Sequence, residues 1–210
     1  VYVGPGQGDD QSAILANEQG SDAFRSFLAS LGWNVDLVRH TGYMGGLDRR
    51  QLAGRHAPYY CDSACEVMFH APTLMPNSAS DAQQIHKKKH VGNDMVNIVW
   101  IEAERDYQPF TITSKFNHVT IMLEPVRDVP SLTRVRIHIK ASERGKLGPF
   151  GPLQDNVLVS NRVLGPLVRA TAVAADLANV GVKLELNEQQ YSSGIGKWRA
   201  RELPAFFSNW

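Results

Sequence analysis

The chain has 210 residues, with 22 Lys and Arg against 21 Asp and Glu, which gives a formal net charge of +1. This balance excludes an overall field that attracts nucleic acid or an anionic membrane, so any basic site must be local. With 43% apolar residues, we expect residues 1–210 to form a single domain, part of a larger protein. The two cysteines, Cys61 and Cys65, are expected to be reduced thiols, and no run reaches the roughly 20 apolar residues that span a bilayer. A cytoplasmic location follows as the expectation.

The first third of the chain predicts a helix followed by a strand. GPGQGDD at 4–10 is typical of a flexible turn, and Ser21 is placed to cap an amphipathic helix that Gly32 ends. The apolar residues of this helix recur on one face: Phe24, Phe27, Leu28 and Leu31. Residues 33–39 alternate as in a half-buried strand, and the glycine-rich HTGYMGGLD at 40–48 predicts a loop.

The middle of the chain predicts a strand, a loop, a helix and a strand. Residues 65–70 are typical of a strand, and the proline-containing run at 71–80 is typical of a loop. Asp81 or Ser80 is placed to cap a helix over DAQQIHKKKH at 81–90, which Gly92 interrupts. Residues 95–102 then predict a buried strand.

The last part predicts two strands, at 118–124 and 134–140, and an alanine-rich helix over 165–180 that Gly181 ends. An amphipathic segment, KWRARELPAFFSNW at 197–210, closes the chain, and Pro204 is expected to kink or end it. Helices and strands alternate throughout. The sequence therefore predicts an α/β fold in which a central mixed β-sheet has helices packed against it.

Several kinds of catalytic site are excluded by missing motifs. The chain has no GxxxxGK[ST] loop, GPGQGDD fails the GxGxxG spacing, and no serine lies in a GxSxG elbow. His86 and His90 have the i, i+4 spacing of two metal ligands, but lysine replaces the glutamate of HExxH, and the lysines between them would repel a dication. We expect no metal there and favour a solvated helix surface.

The densest polar run is KKKHVGND at 87–94, directly before the predicted buried strand. Composition alone leaves two interpretations open. The lysines can be a solvated helix end that favours the negative pole of the dipole, with Gly92 as its cap and Asn93 as a turn residue. Alternatively, the run is a functional site.

Four blocks in order carry a family resemblance: FHAPTLMP (69–76), KKKHVGNDMVNIVW (87–100), FNHVTIMLEP (116–125) and GPFGPL (148–153). Together with GPGQ, FLASLGW and GYMGGLD they resemble the Rap/Ran-type GTPase-activating domain over most of residues 2–175. FHAPTLMP, KKKHVGND and KWRAR are most similar to the tuberin-like branch, whose GTPase is Rheb. The first third is equally similar to Ral-directed relatives.

The resemblance implies a mechanism and its residues. Asn93 would act as a thumb, a side chain that reaches into the active site of a small Ras-like GTPase of the Rheb, Rap or Ral type. His90 would support the thumb or touch the GTPase. Lys87, Lys88 and Lys89 would dock it, and Asp94 would either bind it or hold the turn.

The same resemblance implies which groups this chain does not itself bind. No cofactor is expected in it, since the partner GTPase holds GTP and Mg²⁺, and no independent turnover is expected. A hamartin-like subunit would join through the parent protein, and membrane recruitment would come through partners. The alternative is a GTPase-binding module without activity.

Overall fold

The computed structural model describes residues 1–109 and 111–186. Its strands in chain order are β1 (Tyr2–Val3), β2 (Trp33–Asp36), β3 (His56–Cys61), β4 (Glu66–Met68), β5 (Val96–Ile101), β6 (Val119–Pro125), β7 (Leu132–Ile139) and β8 (Val157–Ser160). Its helices are α1 (Gln11–Leu15), α2 (Asp22–Leu31), α3 (Ile85–Val91) and α4 (Asn161–Leu186), with 3-10 turns at Pro72–Leu74 and Ala141–Glu143.

A five-stranded mixed sheet forms the centre of the molecule, in the order β1-β5-β6-β7-β8. Strands β1, β5 and β6 are parallel, whereas β7 pairs antiparallel with both β6 and β8. The parallel strands therefore share one edge at their amino ends and another at their carboxyl ends. This geometry decides which loops meet.

Helices cover both faces of this sheet. Helices α2 and α4 pack on one face around Trp100, which is 1% exposed. The two helices lie so close that a Cβ at Gly165 would be 2.0 Å from the hydroxyl of Ser30, so only glycine fits there. Helices α1 and α3, together with residues 103–109 and 112, bury the other face, through residues that include Leu15, Val91 and Tyr107.

A second sheet, in the order β2-β3-β4, is antiparallel and has its own small apolar core. The loop at 40–47 packs back onto β4. The carboxylate of Glu66 accepts hydrogen bonds from the amide of Tyr43 (2.6 Å) and the hydroxyl of Tyr59 (2.7 Å). These bonds hold the loop in place beside the strand that leads to His70.

The α/β prediction is confirmed, and so are the cap and the face of α2. The hydroxyl of Ser21 accepts from the amide of Phe24, and Phe24, Phe27 and Leu31 are buried. Strands at 33–36, 66–68, 96–101, 119–125 and 132–139 lie where the sequence places them, within a few residues. Composition and periodicity did not predict β1, α1, β3 or β8.

Two helix boundaries differ from the sequence prediction. Helix α4 begins at Asn161, four residues before Gly165, because Leu164 is buried in the core and Asn161 bonds to the Thr133 hydroxyl and the Pro130 carbonyl. It also continues through Gly181 to Leu186, at a cost of about 1 kcal/mol for glycine in a helix. The other, α3, begins at Ile85 rather than at residue 81.

The predicted terminal segment at 197–210 lies outside the described residues. Within the residues that the structure describes, no helix is both long and apolar enough to cross a membrane.

Candidate functional site

The site is built where α3 ends and β5 begins. Asp81 caps α3 from four residues before its start, because its carboxylate accepts hydrogen bonds from the amides of Ile85 (2.9 Å) and His86 (2.8 Å). Gly92 closes the helix with a bond from its amide to the carbonyl of Lys88, and a Cβ at Gly92 would be 2.7 Å from that oxygen. Residues 92–94, hereafter the thumb turn, therefore start from a fixed helix end.

The segment that leads into β6 holds the thumb turn from the side. The hydroxyl of Ser114 donates a hydrogen bond to the carbonyl of Gly92 and accepts from the amides of Phe116 (3.0 Å) and Asn117 (3.1 Å). Because β5 and β6 are parallel, their incoming segments meet at the amino edge of the sheet. The thumb turn lies at that edge, with Asn93 exposed.

Asn93 is exposed and lies just after the end of α3. Its backbone amide donates to the carbonyl of His90 (3.0 Å), and its side-chain Nδ2 donates to the carbonyl of Lys89 (2.7 Å). The carboxamide thus caps the helix in the isolated domain. The same exposure leaves it accessible to a partner.

Asp94, the next residue, is bonded within the chain. Both of its carboxylate oxygens lie 2.9 Å from Nδ1 of His70, and Nε2 of His70 lies 2.9 Å from the carbonyl oxygen of Gly45. Burial disfavours the His70 cation, but the hydrogen bond and charge of Asp94 and the Gly45 carbonyl outweigh it, so the pKa of His70 is raised. Sequence reasoning did not assign His70, since its partner is 24 residues away.

His90 is half-buried between two other histidines, with its ring centroid 5.3 Å from that of His70 and 5.9 Å from that of His86. Burial lowers the pKa of His90, and the charges of His70, His86 and Lys89 lower it further against the pull of Asp94. The ring is therefore neutral at physiological pH.

The three lysines of α3 occupy three different environments. Lys87 is 1% exposed, and its Nζ donates to the carbonyl of Leu15 (2.9 Å) at the end of α1. Burial lowers the pKa of Lys87. The prediction that Lys87 docks a partner is therefore wrong, because the side chain faces inward and joins two helices.

Lys88 and Lys89 do face outward. Lys88 is half-buried and its Nζ donates to the hydroxyl of Thr113 (2.9 Å), whereas Lys89 is exposed. Both lie in the last turn of α3 with His90, where positive charge is favourable near the negative end of the helix dipole. Lys89 is the member of the trio that is open to a partner's carboxylate.

The thumb turn does not line the cavity of about 380 Å³ that the structure shows elsewhere. That cavity is lined by Glu18, Gln51, Gly54, Arg55 and residues 73–76, and none of the predicted site residues lines it. Among residues 1–109 and 111–186, no group of three or more His, Cys, Asp or Glu side chains could hold a metal ion. The chemistry that this edge offers is one exposed carboxamide with a neutral imidazole and a lysine beside it.

Comparison with known proteins places this geometry in a family. Residues 14–201 match the family model described as Rap/ran-GAP. The structure of the TSC2 GAP domain is similar, with a TM-score of 0.76 at 30% sequence identity, and the match covers 89% of this chain and 96% of that one.

Curated relatives include Ral GTPase-activating protein subunit alpha-2 of Mus musculus, 42% identical over 177 residues, and subunit alpha-1 of Homo sapiens, 41% identical over 177 residues. Each match covers 84% of this chain, and the chain spans 9% and 8% of the length of these proteins. The match to the family model, over nearly the whole described chain, shows that the protein belongs to the Rap/ran-GAP family.

Proposed function

We propose that this domain stimulates GTP hydrolysis by a small Ras-like GTPase by placing Asn93 in the nucleotide site of that GTPase. The observation that carries the proposal is the exposure of Asn93 on a turn whose backbone is held by Gly92, Ser114 and Asp94. A side chain with a fixed backbone and an exposed carboxamide suits insertion into a partner once the bond from Nδ2 to the Lys89 carbonyl is released. Membership of a family of GTPase-activating domains supports the same reading.

A carboxamide can do the chemistry that hydrolysis requires. The attacking water must lie in line with the γ-phosphoryl group, and charge that develops on the phosphoryl oxygens must be offset. Oδ1 of Asn93 would accept a hydrogen bond from the water, and Nδ2 would donate one to a γ-phosphate oxygen. The GTPase would bind GTP and Mg²⁺, so this chain would supply one group in trans and turn over nothing alone.

To reach the nucleotide, Nδ2 of Asn93 must leave the carbonyl of Lys89. Losing one neutral hydrogen bond at the surface costs about 0.5–1.5 kcal/mol. A 10⁵-fold stimulation, the upper range for GTPase activation, corresponds to roughly 7 kcal/mol of transition-state stabilisation. The release is therefore a small fraction of the gain, and the capping bond is compatible with a thumb.

The neighbours of Asn93 take graded roles in the proposal. His90, neutral and half-exposed, supports the thumb or contacts the GTPase. Lys89, and to a lesser extent Lys88, orients the partner through its carboxylates, which acts mainly on association rate. Asp94 already has a partner within the chain, and we propose that it holds the thumb turn; its direct contact with the GTPase stays a prediction.

The curated relatives and the sequence blocks favour different GTPases as the substrate. Two of them are subunits of Ral GTPase-activating proteins, with 41–42% identity to this chain. These relatives favour a Ral-type GTPase, whereas the resemblance of KKKHVGND and FHAPTLMP to the tuberin-like branch favours Rheb, and Rap is the third choice. A hamartin-like subunit of the parent protein remains a prediction.

The test is a hydrolysis panel of Ral, Rheb and Rap loaded with GTP, with the wild-type domain and the Asn93→Ala variant. The proposal expects strong stimulation of one of the three by the wild type, and loss of nearly all of it in the variant. The alternative, a binding module without activity, predicts complex formation with a GTPase and unstimulated hydrolysis with both proteins. Equal stimulation by both proteins would remove Asn93 from the mechanism.

A further inference from the structure

We infer that His70 is a positioning residue for the thumb: as an imidazolium it ties Asp94, next to Asn93, to Gly45 in the 40–47 loop. The inference rests on the proposed function of Asn93. His70 does not touch the reacting atoms. It acts by holding the backbone of Asn93, whose side chain does.

The charge of His70 follows from the hydrogen-bond partners of its two ring nitrogens. Nδ1 lies 2.9 Å from both oxygens of Asp94, and Nε2 lies 2.9 Å from the carbonyl oxygen of Gly45. A neutral imidazole has one N–H and one lone pair, so one of its nitrogens would present a lone pair to an acceptor. The side chain of His70 is 8% exposed, which leaves little water to relieve that contact. Only the imidazolium donates to both partners while Asp94 stays ionised.

The bonded pair could instead hold its proton on the carboxylate. Imidazole is ordinarily the stronger base of the two by about 2–3 pKa units, so the proton stays on His70. In either arrangement the pair binds one proton more than a neutral imidazole beside a carboxylate. That proton is what joins the three groups.

The link connects two parts of the protein surface that are far apart in sequence. Gly45 has φ +60°, and a Cβ there would be 2.9 Å from Cβ of Met68 and 3.4 Å from Nε2 of His70, so the loop approaches the ring closely only with glycine. Asp94 follows Asn93 directly and precedes β5. His70 therefore fixes the thumb turn against the small sheet, while Ser114 fixes it against β6.

Other charged groups face the pair. On α3, His90 packs against the His70 ring and is itself near His86 and Lys89, and burial with these charges lowers the pKa of His90. Because its pKa lies below the usual histidine value, His90 does not gain or lose charge on the alkaline side of neutrality.

The direction of the pH dependence follows. The pKa of His70 is raised in the folded domain, so the bonds that its cation makes are fully present below the usual histidine pKa and are lost as pH rises through the raised value. The thumb turn should then be less well positioned at alkaline pH, and stimulation of hydrolysis should decline there.

Two conservative variants separate the two bonds. In His70→Asn the amide nitrogen occupies the place of Nδ1 and can still donate to Asp94. In His70→Gln it occupies the place of Nε2 and can still donate to Gly45. Neither variant titrates. His56→Gln, at the exposed start of β3, is the matched control.

The experiment measures single-turnover hydrolysis by the GTPase saturated with each variant, between about pH 6 and 9, as a ratio to wild type so that the GTPase's own pH dependence cancels. At about pH 6.5, His70→Gln should be slower by on the order of 10- to 100-fold at saturation, with affinity for the GTPase changed by less than about threefold. His70→Asn should lose no more than about fivefold. Both ratios should rise towards one as pH increases, and His56→Gln should match wild type throughout.

Nitrogen chemical shifts of the His70 ring supply a readout that does not depend on activity. At neutral pH both nitrogens should carry protons in the wild type. A neutral ring, ratios that do not change with pH, or a greater loss in His70→Asn than in His70→Gln would overturn the inference. If Asn93→Ala retains wild-type stimulation, the proposed function fails instead, so the two failures are distinguishable.

Discussion

The parallel strands have a hydrogen-bonded polar cluster at each edge, and the two clusters differ in how their groups are satisfied. At the carboxyl edge, Glu102 accepts hydrogen bonds from Trp100 Nε1 (2.9 Å), the Ser21 hydroxyl (2.5 Å) and the Tyr2 hydroxyl (2.9 Å). Burial raises the pKa of Tyr2 to about 12, and its hydrogen bond to Glu102 contributes in the same direction. Every partner in this cluster lies within the fold.

The amino edge is also a hydrogen-bonded cluster, but it ends in an exposed group. His70, Asp94 and Ser114 hold the backbone of the thumb turn, and Asn93 extends beyond them into solvent. The hydrogen-bonded groups of both edges stabilise the structure, and in the proposed function the exposed Asn93 of the amino edge acts on the GTPase. Four substitutions test this division.

The largest effect is expected for Asn93→Asp. A carboxylate can accept from the attacking water but cannot donate to the γ-phosphate, and it places like charge against the phosphoryl oxygens. We expect about a 10³-fold or greater loss of stimulated hydrolysis, measured by single turnover. Stability should fall by about 0.5–1.5 kcal/mol, because aspartate cannot donate to the Lys89 carbonyl and places negative charge at the end of the helix. Retained stimulation would show that donation by the side chain is not needed.

The corresponding change at the carboxyl edge is Glu102→Ala. It leaves the buried indole N–H of Trp100 and two hydroxyls without their acceptor, so we expect about 2–4 kcal/mol of destabilisation in urea unfolding. Stimulation by the folded fraction should be retained. Glu104→Ala, an exposed carboxylate two residues on, is the control and should change stability by less than about 0.5 kcal/mol. Loss of stimulation without destabilisation would contradict the purely structural role of the carboxyl edge.

On α3, Lys87→Met should act on stability alone. The methionine retains the buried stem but removes the donor to the Leu15 carbonyl, for an expected destabilisation of about 1–2 kcal/mol. Association with the GTPase should be unchanged at low and high salt, as stopped-flow mixing would report. A slower, salt-dependent association would show that Lys87 contacts the GTPase and would contradict its buried position.

The smallest effect is expected for Lys89→Met, the exposed counterpart. Association should slow by about two- to fivefold at low ionic strength, and the difference should shrink as salt screens the charge. Arg105→Met, which removes an exposed charge at the opposite edge, should leave the association rate unchanged. If both variants slow association equally, net charge and not position explains the effect.

Much of the fold is local in origin and was predictable. The Ser21 cap, the apolar face of α2 and the runs that form β5, β6 and β7 are all visible within short windows of sequence. The exposed Asn93 after a helix end was also predictable, since Gly92 marks that end. Whether it acts as a thumb stays a prediction.

The remainder depended on contacts between distant segments. Lys87 and Val91 are four residues apart on the inward face of α3, each 1% exposed, and this spacing was a usable signal that three consecutive lysines concealed. The pairing of His70 with Asp94 and Gly45 had no such signal, because the sheets must form before the three groups meet. Strand β8 is four residues long and carries little periodicity of its own.

In the proposed function, Asn93 acts in the transition state and not in ground-state binding. The most direct measurement compares the affinity of the domain for the GTPase loaded with a non-hydrolysable GTP analogue and with GDP plus aluminium fluoride, which mimics the phosphoryl group in transfer. The wild type should prefer the second form strongly, because transition-state mimics bind about 10²-fold or more tightly where such contacts exist. Asn93→Ala should bind the first form as the wild type does and lose the preference for the second. An undiminished preference in the variant would contradict the account.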